Sequence, residues 1–131
     1  MAAVLRTVLI VDDDEDIRTV LSEAFADDGY GVACASDGYE ALAQIEAGYE
    51  PSLILLDLMM PKMDGWQFRA EQQKLARHAS VPVIIMTAGG RCREAAVSDL
   101  AAQECVTKPF SIDFILATAR RWVVVPLPIA P

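Results

Sequence analysis

Asp12, Asp13, Asp57, Thr87 and Lys108 each stand at the end of a short apolar run. The runs are Val8-Leu9-Ile10-Val11, Leu53-Ile54-Leu55-Leu56, Val83-Ile84-Ile85-Met86 and Cys105-Val106-Thr107. Their hydrophobicity is continuous rather than alternating, which marks buried strands of a parallel sheet. In an open parallel sheet, groups at the carboxyl ends of several strands converge in one crevice. Like charges a few ångströms apart raise one another's pKa or demand a cation, so three carboxylates there call for a counter-ion. Oxygen-only donors favour Mg²⁺, which keeps several waters and takes one or two carboxylates with a phosphate oxygen. A metal-neutralised carboxylate is a nucleophile, and aspartyl phosphates are one use of it. Singly, Asp12 and Asp13 could be a solvated strand end, Asp57 a turn residue, Thr87 a helix cap and Lys108 a surface charge. It is their convergence that argues for a site.

Helical segments alternate with the strands, which implies βαβ units and a parallel sheet covered on both faces. A first helix from about Asp14 to Asp27 carries Ile17, Val20, Leu21, Ala24 and Phe25 as one apolar stripe, with Asp14, Glu15 and Asp16 at its positive end. Gly29-Tyr30-Gly31 breaks it, and a short strand, Val32-Ala33-Cys34-Ala35, follows. The second helix runs from about Gly38 to Ala47 with Ala41, Leu42 and Ile45 inward and Gly48 as its stop. Met59-Met60-Pro61-Lys62-Met63-Asp64-Gly65 is turn-rich, with Asp64 as N-cap of a third helix extending to about His78, itself read as an exposed loop histidine. A fourth helix is expected over Arg91 to Ala102 behind Gly89-Gly90. The last helix starts after the N-cap Ser111 and aligns Ile112, Ile115, Leu116, Ala119 and Trp122. Prolines in the apolar segment from Val123 to Pro131 forbid its continuation, and that tail is expected to be buried against the domain or a neighbour.

The 131 residues suit one domain, and 53% hydrophobic with 23% charged residues make it globular. A net charge of −8 argues against direct binding to nucleic acid or an anionic membrane, both of which are met through basic patches. No secretory leader is apparent, and no apolar run approaches the roughly 18–20 residues of a membrane span. Cys34, Cys92 and Cys105 are odd in number and lack metal-ligand spacing, which fits a reducing cytoplasm. Cys105 is expected to be mostly buried with Cys92 within reach, and Cys34 to lie near the opposite sheet edge, too far for a disulfide.

Four stretches together resemble the receiver domain of bacterial two-component response regulators. They are Val8-Leu9-Ile10-Val11-Asp12-Asp13-Asp14, Leu55-Leu56-Asp57-Leu58-Met59-Met60-Pro61-Lys62-Met63-Asp64-Gly65, Met86-Thr87-Ala88 and Thr107-Lys108-Pro109-Phe110. The resemblance implies a three-layer α/β fold of flavodoxin-like (βα)5 type, a five-stranded parallel sheet in the order 2-1-3-4-5 with helices on both faces. It places the receiver domain at residues 4–122 and the tail at 123–131. It implies that Asp57 is the phosphoacceptor and that Mg²⁺ is the cofactor. The metal would be held by Asp13, Asp57 and the Met59 backbone carbonyl directly, and by Asp12 mainly through water. Lys108 would pair with one phosphoryl oxygen and Thr87 would donate to another, and the Lys108-Pro109 bond would be cis. The donor would be a histidine kinase or a histidine phosphotransfer protein, and the only catalysis the domain's own phosphorylation and dephosphorylation. A cytoplasmic monomer or weak homodimer, with no direct nucleic-acid contact and no membrane insertion, completes the expectation.

The chain departs from the family at the switch formed with Thr87. An aromatic residue usually stands three positions before the lysine, where this chain has Cys105. The Thr87–Lys108 segment also looks about one residue short, and Ala101-Ala102-Gln103-Glu104 replaces a Gly-Ala-Asp-Asp-like stretch. The smaller side chain moves the expected switch to the loop after Thr87, with Gly89-Gly90 as hinge. Two alternatives stand beside this reading. A Mg²⁺-dependent phosphohydrolase of the haloacid-dehalogenase type would place an Asp-x-Asp-x-Thr nucleophile after the first strand, where this chain has Asp12-Asp13-Asp14-Glu15 and no room for a cap domain. A receiver-fold interaction module that never takes phosphate would not need the full residue set. With no output domain after the last helix, the chain is expected to be either a stand-alone, chemotaxis-regulator-like receiver or a fragment, the first being favoured because the tail is neither polar nor linker-like.

Overall fold

The computed structural model describes residues 6–75, 80–90, 92 and 102–123. The apolar runs are strands: β1 (Thr7–Val11), β2 (Gly31–Ala35), β3 (Leu53–Asp57), β4 (Val83–Ala88) and β5 (Glu104–Lys108) form one parallel sheet ordered β2-β1-β3-β4-β5. Because β1 lies between β2 and β3, the chain leaves it first to one side and then to the other. A crevice therefore opens above the carboxyl ends of β1 and β3.

Helices α1 (Glu15–Asp27), α2 (Gly38–Glu46), α3 (Gly65–Gln73) and α4 (Ile112–Trp122) cover both faces. Each starts at a side chain that satisfies otherwise free amides of its first turn. Asp14 accepts from Asp16 and Ile17, Asp37 from Glu40, and Ser111 from Phe114, while Asp64 and Gln67 form a reciprocal capping box. Alternate strand residues separate into two cores. Leu9, Val11, Ile54, Leu56, Val83 and Ile85 pack with Ala41, Ile45 and Phe68 of α2 and α3. Val8, Ile10, Leu55 and Ile84 pack with Leu21 and Phe25 of α1 and Ile115 and Ala119 of α4. Burying these side chains, at about 1.5–3 kcal/mol each relative to exposure, is what holds the layers together.

Three expectations need correction. The third helix ends at Gln73 rather than near His78, closed by i→i−3 bonds from the Lys74 and Leu75 amides to Glu71 and Gln72; nothing in Gln73-Lys74-Leu75 signals a stop. Val20, counted in the α1 stripe, is 49% exposed, because the buried face narrows to Leu21 and Phe25 with Ile17 and Ala24 half-buried. Trp122 is exposed at the end of α4, and it is Val123 that turns into the core, its amide bonded to the Ala119 carbonyl. Cys105, expected to be mostly buried, is indeed only partly exposed on the edge strand β5 and packs against the α2/α3 side of the core. His78, the expected fourth helix apart from Cys92 and Ala102, and the tail beyond Val123 lie outside the described residues.

Candidate functional site

Asp12 follows β1 and is fully buried. Its amide donates to the Ala35 carbonyl at 3.1 Å, and its own carbonyl accepts from Arg18 Nη1 at 2.7 Å. Of its carboxylate oxygens, Oδ1 accepts from the Asp14 amide at 2.9 Å and Oδ2 from Lys108 Nζ at 2.7 Å. Asp13 is exposed, and among the described residues nothing donates to its carboxylate. Asp57, the last residue of β3, is 5% exposed; its Oδ1 accepts from the Met59 amide at 3.2 Å and its Oδ2 lies 3.6 Å from Lys108 Nζ.

One carboxylate oxygen from each of Asp12, Asp13 and Asp57 lies within 4.8 Å of the others. Burial pushes the Asp57 carboxyl up to about 6, with Asp12 adding to the rise and Asp13 contributing less. The Lys108 ammonium and the Met59 amide pull the other way. Lys108 reaches the crevice from the end of β5 and is followed by a cis bond to Pro109.

Thr87 follows Met86, the register partner of Asp57 on β4, and is fully buried. Its hydroxyl has no hydrogen-bond partner among the described residues. A buried polar group left unpaired costs about 1–3 kcal/mol, so the site favours an acceptor there. The loop after β3 is held by Gly65, whose amide donates to the Leu58 carbonyl at 2.9 Å. A Cβ at Gly65 would fall 2.7 Å from the Asp57 carbonyl oxygen and 2.8 Å from Leu58 Cα, so only glycine lets α3 approach the Asp57 backbone this closely. The same loop turns at Lys62, φ 68°, where the Met63 amide donates to the Pro61 carbonyl at 2.8 Å as a γ-turn.

The residues singled out from sequence therefore gather at one end of the sheet: Asp12, Asp13, Asp57 and Lys108 in direct proximity, and Thr87 one position past the register partner of Asp57. The donor set suits a hard divalent cation, for it is all oxygen, contains an exposed carboxylate, and centres on a carboxyl whose pKa is raised by burial and by the neighbouring Asp12 carboxylate. Sequence reasoning missed Arg18, which is set by the helical phase of α1 to clamp the Asp12 carbonyl. It also missed an apolar groove of about 460 Å³ beside the crevice, lined by Ile17, Val20, Leu21, Pro109, Phe110 and Ile112 and reaching Ala88 and Lys108. Val20 was the available signal, an apolar residue on the edge of the α1 stripe.

An acidic crevice with a lysine and a buried hydroxyl, at the switch point of a five-stranded parallel sheet, defines the class as a receiver-type signalling domain. Residues 8–120 match the model of the response regulator receiver domain, and the chain belongs to that family, the phosphorylation-dependent switches of two-component signalling. Regulatory protein AtoC of Escherichia coli (strain K12) is 40% identical over 123 residues, 92% of this chain and 26% of that protein. The DNA-binding dual master transcriptional regulator RpaA of Synechocystis is 36% identical over 114 residues, 86% of this chain and 47% of that protein. The chain thus spans less than half the length of these curated relatives. Among solved structures, the chemotaxis response regulator CheY4 of Vibrio cholerae superposes with a TM-score of 0.82 at 30% identity, covering 89% of this chain and 98% of that one. No described helix is long and apolar enough to cross a membrane.

Proposed function

We propose that Asp57 accepts a phosphoryl group from the phosphohistidine of a histidine kinase or histidine phosphotransfer protein in the cytoplasm, and that residues 4–122 act as a monomeric or weakly dimeric switch. The observation that carries this is the convergence of Asp12, Asp13 and Lys108 on a nearly buried Asp57. Mg²⁺ would be held by Asp13, Asp57 and the Met59 carbonyl, with Asp12 acting through water because its carboxylate oxygens already accept from Asp14 and Lys108. When bound, the ion supplies positive charge that offsets the carboxylates and the incoming phosphoryl oxygens.

In the transfer, an Asp57 carboxylate oxygen bonds to phosphorus as the phosphorus–nitrogen bond to the donor imidazole breaks. Little covalent work remains for the protein beyond positioning and charge neutralisation. Lys108, bridging Asp12 and Asp57 at rest, moves onto a phosphoryl oxygen, and the Thr87 hydroxyl donates to another, gaining the acceptor it lacks. Hydrolysis of the acyl phosphate by water resets the site. A phosphohydrolase with its nucleophile after β1 is disfavoured, since Asp12 is fully buried and held on both oxygens.

The test is labelling by radioactive acetyl phosphate or a phosphorylated kinase. Wild type should take label with Mg²⁺ and lose it with chelator, and Asp57→Asn should take none. Equal labelling of wild type and Asp57→Asn would overturn the assignment.

A further inference from the structure

Cys92 and Cys105 are joined by a disulfide with a Cα–Cα distance of 5.6 Å across a sequence separation of 13. That spacing lies within the range in which two cysteines bridge without backbone movement. Both residues are half-buried, so small oxidants and reductants reach them. Cys34, the remaining cysteine, is a free thiol on β2 at the opposite sheet edge, contacting Ser22 Oγ at 2.9 Å.

The bridge ties two chain segments that end in site residues. Cys105 pairs in register with Ile85 and lies on the strand that ends at Lys108; Cys92 follows Thr87 through Ala88, Gly89 and Gly90, with Gly89 at φ 65°. Thr107 Oγ1 also donates to Cys92 Sγ at 3.6 Å. A covalent link here ties the segment that follows Thr87 to the strand that carries Lys108, and so restricts movement of one relative to the other.

We propose that Cys92 and Cys105 are a reversible redox pair whose oxidation restrains the segment following Thr87, giving the phosphorylation switch a second, redox input. The inference rests on the reading of Asp57 and Thr87 given under Proposed function. In a reducing compartment the pair is a dithiol. A peroxide is the oxidant: one thiolate attacks peroxide oxygen, the O–O bond breaks and hydroxide leaves, forming a sulfenic acid. The second thiolate attacks that sulfur, forming the S–S bond and expelling hydroxide. Overall, two thiols and one peroxide give a disulfide and two waters. A protein or small dithiol reverses it by exchange through a mixed disulfide, being oxidised itself.

The experiment uses the full chain, reduced with a dithiol or oxidised with hydrogen peroxide, with thiol counting and peptide mapping on each form. Oxidation should remove two of the three thiols and yield the Cys92–Cys105 peptide, leaving Cys34 free. Both forms are then given Mg²⁺ and beryllofluoride, and amide exchange is followed over residues 86–92. The reduced form should respond by about tenfold and the oxidised form by less than about twofold. Cys92→Ser should abolish the difference and Cys34→Ser should preserve it. Failure of the mapped disulfide to form, or equal responses of the two forms while both take acetyl-phosphate label at Asp57, would overturn this inference alone. Absence of label in both forms would overturn the proposed function and this inference with it.

Discussion

Asp57 is the residue at which the proposed function opposes stability. Burial and the Asp12 carboxylate raise its pKa from 3.8 to about 6, so the folded state holds the proton more tightly than the unfolded state between those values. Stability from this group is therefore full below about pH 4 and is lost as pH rises through about 6. Asp57→Asn should stabilise the metal-free protein at pH 7.5 by up to about 3 kcal/mol, the gap closing near pH 4. Thermal melts in chelator across pH would read this, and Mg²⁺ should narrow the gap by stabilising wild type more than Asp57→Asn. Lys108 supplies the resident counter-charge, at 2.7 Å from Asp12 and 3.6 Å from Asp57. Lys108→Ala should bind Mg²⁺ at least as tightly as wild type, because a competing cation is gone, yet label at Asp57 roughly 10- to 100-fold more slowly. Metal titration and labelling kinetics on one preparation separate the two effects.

The elements place these residues through a few close backbone approaches. Gly65→Ala sets a Cβ against the Asp57 and Leu58 backbone, and should cost about 1–3 kcal/mol and slow labelling by displacing Asp57. At Gly38 the equivalent atom falls 2.6 Å from Met63 Cγ and 2.9 Å from its Cβ, so Gly38→Ala should also destabilise by denaturant unfolding, by displacing the buried Met63 rather than the backbone at Asp57. On α1, the exposed Val20 borders the apolar groove beside Lys108, which on the proposed reading is a surface that a phosphodonor protein meets as it approaches Asp57. Val20→Glu should slow transfer from a kinase about tenfold or more while leaving acetyl-phosphate labelling unchanged, since only the protein donor needs the groove. The strands were legible in the sequence because a run such as Leu53–Leu56, apolar on both faces, suits the centre of a parallel sheet. Asp64 and Ser111 announced their helices by the same capping chemistry the structure shows, while Asp14, read as a first-turn acid, is the N-cap of α1. The end of α3 was not legible, for Gln73-Lys74-Leu75 carries no helix-breaking residue. The tilt that exposes Val20 and Trp122 depends on packing that periodicity does not encode.

For the whole molecule, the candidate site was the most legible part, because parallel topology converts strand ends that are distant in sequence into neighbours. Asp12, Asp57 and Lys108 could be placed together from that rule alone, whereas the bridge between Cys92 and Cys105 depends on how the chain returns between β4 and β5. The division of the core into two compartments gives residue number a second meaning. Along β1, Val8 and Ile10 belong to the α1/α4 side while Leu9 and Val11 belong to the α2/α3 side. The apolar groove is built from α1 and the start of α4, and Cys105 packs on the α2/α3 side. Odd and even positions of one strand are thus separate addresses. The two addresses meet at Ala88 and Lys108, which line the groove and also belong to the segments the bridge ties, so a change on the groove side and a change in the redox response are coupled through those two residues.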